Sequence, residues 1–132
     1  MLNGASFPEG LDMLMHLAEG QDLGSGVVHE CLVREMDWEQ NVPVILFWKQ
    51  DDVQGVVDRT EYLVIDYFTT PGQQIPELAR FIARIRDRHY QIGGVGFFDD
   101  VAVEKAPRGI PYQNPLVGQA QATVRVTARP VI

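Results

Sequence analysis

His29, Cys31 and Glu35 come closest, by type and spacing, to residues that could do chemistry. On a strand all three project from one face, and imidazole, thiolate and carboxylate are the groups that hold zinc. The chain has a single cysteine, however, and no second cluster of ligands. A packed cysteine beside a surface histidine accounts for this triplet more simply than a metal does. Asp51-Asp52 and Asp99-Asp100 are adjacent acids, a pattern common in turns, where such pairs cap backbone groups and face water. The glycine runs Gly24-Ser25-Gly26 and Gly93-Gly94-Val95-Gly96 lack the lysine and the strand–loop–helix setting of a phosphate cradle. No serine or cysteine stands in a nucleophile motif. The residues therefore predict a protein that is not an enzyme, with no metal and no cofactor.

Arginine is the other feature with chemical reach. Arg80, Arg84 and Arg88 lie one helical turn apart, with Arg86 beside them. Such a stripe can grip phosphates or an acidic neighbour, or it can be a solvated helix face. Each exposed ion pair is worth only about 0–1 kcal/mol, so at an interface the stripe would set register more than affinity.

The charge is unevenly divided. Residues 1–66 hold 13 acids and 3 bases, a balance of −10, whereas residues 67–132 hold 5 acids and 8 bases, a balance of +3. An acidic chain is poorly suited to wrapping nucleic acid, which needs a basic surface. Mutual repulsion between copies favours solubility, but a bipolar molecule can also stack acidic side to basic side.

At 132 residues, with 45% apolar and 22% charged side chains, the composition is that of one globular domain, residues 1–132. No apolar run approaches the roughly 20 residues that span a bilayer, so no membrane contact is expected. The opening MLNGASFPEG has no basic region followed by an apolar core, and is not read as a secretion signal. A lone cysteine excludes an intrachain disulfide and fits a reducing compartment.

The periodicities then place these residues. Phe7-Pro8-Glu9 opens a helix carried by Leu11, Leu14, Met15 and Ala18, and Gly20 with the following glycines stops it. Residues 27–36 and 44–48 read as strands, 50–58 as a polar hairpin tip or excursion. The run 61–68 reads as a strand apolar on both faces except at Asp66, hence central in its sheet. Residues 76–89 form an amphipathic helix with Pro76 at its first position and Leu78, Phe81, Ile82, Ile85 and His89 on its apolar stripe. Strands at 97–105 and 119–129 follow, the last alternating Ala120, Ala122, Val124, Val126 and Ala128 with polar residues. Between them a loop, Ala106 to Gly118, carries Pro107, Gly109, Pro111 and Pro115, whose backbone is stiff and poor at joining a ladder. The expected fold is α+β: a mostly antiparallel sheet of about five strands with two helices on one face.

Three of these features together resemble the tail terminator proteins of long-tailed bacteriophages, in particular siphophages of actinobacteria. The first is the short strand Pro43–Trp48, then an excursion ending VVDRTEYLVIDYFTT. The helix PELARFIARIRDRHY follows at once. The third is the ending VAVEKAPRGIPYQNPLVGQAQATVRVTAR, with its proline–arginine step and its loop Pro111-Tyr112-Gln113-Asn114-Pro115. The likeness covers roughly residues 42–129, and before Pro43 extends only to an N-terminal helix. It implies a tail-terminator-like fold and a structural role in the virion tail or neck, assembled in the host cytoplasm. There a hexameric ring of identical chains caps the tail tube, stops its growth and offers the surface joined by the filled head. Its partners would be the tube protein and a head–tail connector, with DNA passing the lumen unbound.

On that reading the interface candidates are Arg108, Tyr112 and Asn114 in the proline loop, the stripe Arg80, Arg84 and Arg88, and the acids Asp51 and Asp52. Arginine and tyrosine are frequent interface anchors; the alternative for Tyr112 is a loop residue that packs on its own sheet. Two other readings stay open: a neighbouring neck ring of the same assembly, and a small acidic binding protein such as a toxin immunity factor.

Overall fold

The structure, a computed structural model, describes residues 10–30, 38–54, 59–86, 90–92 and 96–129. For 29–30, 38, 40, 52–54, 90–92, 96–99 and 129 it describes the backbone alone. The order is α1 (Gly10–Ala18), β1 (His29–Glu30), a 3-10 turn (Trp38–Asn41), β2 (Val44–Gln54), β3 (Arg59–Thr69), α2 (Gln74–Ile85), β4 (Tyr90–Ile92), β5 (Gly96–Ile110) and β6 (Gly118–Arg129). The strands form one sheet in the order β1-β2-β3-β6-β5-β4. Its body is four long antiparallel strands, β2, β3, β6 and β5, and the short β1 adds the one parallel pair at an edge. The expected α+β class holds.

β6 runs antiparallel to both β3 and β5, so those two are parallel to each other and α2 carries the chain between them. This is a split β-α-β arrangement. Both helices lie on one face, α1 over β2 and α2 over β5 and β6. Beneath them, Leu63, Ile65 and Tyr67 of β3, Ile45 and Phe47 of β2, and Ala120, Ala122, Val124, Val126 and Ala128 of β6 form the core. The three alanines of β6 keep that strand thin where two helices press on it. Phe81 of α2 closes the layer against Phe47, ring centroids 6.1 Å apart.

Several boundaries differ from expectation for identifiable reasons. Of the strand expected over 27–36, His29–Glu30 pairs with β2 and Val27 instead bridges Asp22, while residues 31–36 lie outside the described residues. Of the polar tip or excursion expected over 50–58, residues 50–54 belong to β2, which continues through them after a bulge between Lys49 and Asp51, and residues 55–58 lie outside the described residues. The helix α2 begins at Gln74, two residues early, which leaves Pro76 in the first turn, where backbone N–H groups lack helical acceptors anyway. The proline loop is shorter than Ala106–Gly118, because β5 runs to Ile110. Pro107 does stay out of the ladder; register jumps from Lys105 to Arg108 across it, and Gly109 resumes pairing with Ala120. β4 has no counterpart in the sequence reading.

Two buried carboxylates fasten the helices to the sheet. Glu61 of β3, fully buried, accepts the Gly10 N–H at 2.6 Å and so meets the positive end of α1. Lys49 and Arg59 pair with its other oxygen at 3.1 and 3.0 Å. Glu77, in the first turn of α2, accepts hydroxyl hydrogens from Tyr67 (2.7 Å), Thr69 (3.0 Å) and Ser25. One carboxylate thereby joins α2, β3 and the segment after α1.

Candidate functional site

The face of the sheet away from the helices is built by the alternate residues of the same strands. Trp48 of β2 stands opposite Val64 of β3, which stands opposite Thr123 of β6. On the next rung Asp66 of β3 faces Gln121 of β6, and Gln121 faces Arg108 of β5. These side chains join in one hydrogen-bonded line across four strands. Arg108 donates to the Gln121 carbonyl oxygen at 3.1 Å, and the Gln121 amide donates to Asp66 at 3.0 Å. Trp48 Nε1 donates to the other Asp66 oxygen at 3.0 Å, and Gln119 adds a third donor at 3.1 Å. Asp66 is buried, and its three donors offset the cost of removing a carboxylate from water.

Beside that line lies a groove of about 200 Å³, lined by Trp48, Gln50, Val64, Lys105, Arg108, Gln121, Ala122 and Thr123. Trp48 is 42% exposed at its wall. Among the described residues Lys105 has no hydrogen-bond or ion-pair partner, and Arg108 has only the neutral Gln121. A further cation among the described residues of this face, Arg125, is neutralised by Glu104 at 3.1 Å. The groove thus has a flat aromatic wall, two uncompensated positive charges and amide groups able to accept and donate.

The expected interface residues fall into separate places. Arg108 lies on this face. Tyr112, half-buried, covers Phe68 of the same face edge-on, with ring centroids 5.5 Å apart. Asn114 holds the loop in shape: its amide donates to Glu39 at 2.9 Å and its side-chain oxygen accepts from the Leu116 N–H at 3.0 Å. That turn projects Leu116, 78% exposed, beside it. Arg80 and Arg84 lie on the helix side instead. Arg80 donates to the Leu23 carbonyl, and Arg84 to Gln21 Oε1 at 2.8 Å and the Asp22 carbonyl at 3.1 Å. They clasp the segment after α1 to α2. Asp51 is exposed within β2, opposite Tyr62, and Asp52 pairs with Glu61 through its backbone. Arg88 lies outside the described residues, as do Cys31 and Glu35 of the conceivable metal triplet.

Trp48, Lys105 and Gln121 were not singled out from sequence. Their signal was their register: each is the outward partner of an alternating strand, and Asp66 was already visible as the polar exception inside an apolar run. No helix among the described residues is long and apolar enough to cross a membrane. No protein-family model and no curated protein matches the chain.

Proposed function

We propose that this chain is a structural subunit that closes with identical copies into a ring at the end of a tube, in the manner of a phage tail terminator. In that role the ring, hexameric in the family it resembles, caps the tail tube and ends its polymerisation. Its far face then receives the head–tail connector, and DNA crosses the lumen without being held. The observation that supports this reading best is the two-sidedness of the sheet. One face is closed by both helices, while the other keeps an aromatic and cationic groove over four strands. A ring needs two different, complementary patches on each subunit, because a head-to-tail contact joins unlike surfaces. The exposed Leu116 and the uneven charge of the chain add further contact chemistry.

Electron microscopy of particles assembled without this chain tests the role. Tails longer than normal are expected. Tails of normal length attached to leaking heads would instead assign the chain to a neighbouring neck ring. A monomer that binds one basic protein would place it with small acidic binding proteins.

A further inference from the structure

Exposed charges with no ion pair among the described residues lie on both sides of the molecule. On the groove side they are Lys105 and Arg108 of β5, both exposed. On the helix side they include Asp12 and Glu19 of α1 and its last turn, exposed and with no ion-pair or side-chain hydrogen-bond partner among the described residues, whereas the cations Arg80 and Arg84 on that side are held by neutral acceptors. Asp12 and Glu19 are seven residues apart, two helical turns, and the Glu19 N–H still bonds the Met15 carbonyl at 3.2 Å. They therefore share one face of the helical spiral, about 10 Å apart along its axis. Lys105 and Arg108 stand opposite Thr123 and Gln121, two residues apart on β6, which separates their backbones by about 7 Å. The flexible stems of lysine and arginine span the difference.

From this arrangement we infer that the groove is a receptor for the acidic outer face of α1 from a second copy of this chain. Lys105 and Arg108 pair with Asp12 and Glu19 of the adjoining subunit, and Trp48 supplies the apolar wall beside them. The inference deepens the ring reading and rests on it. Charge complementarity selects this occupant: the groove lacks anions of its own, and the N-terminal half of the chain carries the excess of acids. The placement also fixes the contact type. Groove and α1 lie on opposite faces of one sheet, so the contact cannot be a symmetric pair of identical patches. It runs front to back, a head-to-tail contact that makes a ring where its rotation returns to the first copy.

A charge swap in the full-length chain tests this. The variants are K105E/R108E, D12K/E19K and the quadruple combination, with self-association followed by sedimentation velocity at low and high salt. All four positions are exposed, and circular dichroism verifies that the variants fold. Each double variant should associate at least tenfold more weakly than the wild type. A one-to-one mixture of the two, and the quadruple variant alone, should recover association. Wild-type association should weaken as salt rises. An oligomer indifferent to the swaps, or losses that the reciprocal swap does not repair, overturns this contact and leaves the groove to another partner while the ring reading stands. A wild-type chain that stays monomeric at all concentrations, alone and with tube protein, overturns both.

Discussion

Glu61 and Glu77 bury their carboxylates for different purposes, and each has a substitution that exposes it. Glu61 closes the start of α1, and a Cβ built on Gly10 would sit 2.4 Å from its Oε2. That oxygen is the end of a flexible chain, but Lys49 and Arg59 hold the carboxylate in place. Gly10→Ala should therefore cost on the order of 1–2 kcal/mol in urea unfolding through loss of this cap and its pairing; an unchanged midpoint would show that Glu61 yields freely. Glu77→Ala strips the acceptor from three hydroxyls, two of them fully buried, and should cost on the order of 3 kcal/mol by the same measurement. Tyr67 adds a pH dependence. Burial lifts its phenol far above the ordinary value near 10, and the hydrogen bond to Glu77 and that carboxylate's charge push the same way. An unfolded chain releases this proton near pH 10 while the folded chain keeps it, so the associated stability is present below that pH and is lost as pH rises beyond it. Tyr67→Phe should flatten the fall in stability between about pH 10 and 12; profiles parallel to wild type would contradict the assignment. Neither buried acid was legible in the sequence, because composition rules place glutamate outside and only the tertiary donors make these sites tolerable.

Among the elements, β6 and α2 were read from sequence because each has one dominant period. Ala120 through Ala128 alternate without interruption, and Leu78, Phe81, Ile82 and Ile85 form one stripe. Phe81, fully buried, should cost about 3–5 kcal/mol when replaced by alanine, far more than Arg80→Ala. Comparable losses from the two variants in thermal unfolding would mean that the clasp from Arg80 to the Leu23 carbonyl, not the stripe, holds α2. The open face was legible only in part. Prolines marked Ala106–Gly118 as loop, but a bulge lets β5 skip Pro107 and return to register, a solution that local propensity does not reveal. The same holds for Lys49 and Asp51, where a second bulge continued a strand through residues read as a turn. The groove follows from which strands become neighbours: β6 enters between β3 and β5, and this crossover brings Asp66, Gln121 and Arg108 together from distant segments. Asn114 binds Glu39 from outside the sheet, so Asn114→Ala should speed amide exchange through residues 111–117 and leave β6 protected; unaltered exchange in the loop would remove this tether from the account.

For the molecule as a whole, the sequence showed bipolar charge without saying where the poles lie. The fold separates part of it: Asp12 and Glu19 lie on and just after α1, on the helix side, while Lys105 and Arg108 lie on the other side of the sheet. A subunit with unlike, complementary sides is suited to repeat around an axis, and closure of that repeat is what would end a growing tube. The most direct test is electron microscopy of the purified full-length chain, alone and mixed with tube protein. The account predicts closed rings with an open centre, of the six subunits that the resemblance implies; single subunits in both samples would contradict it.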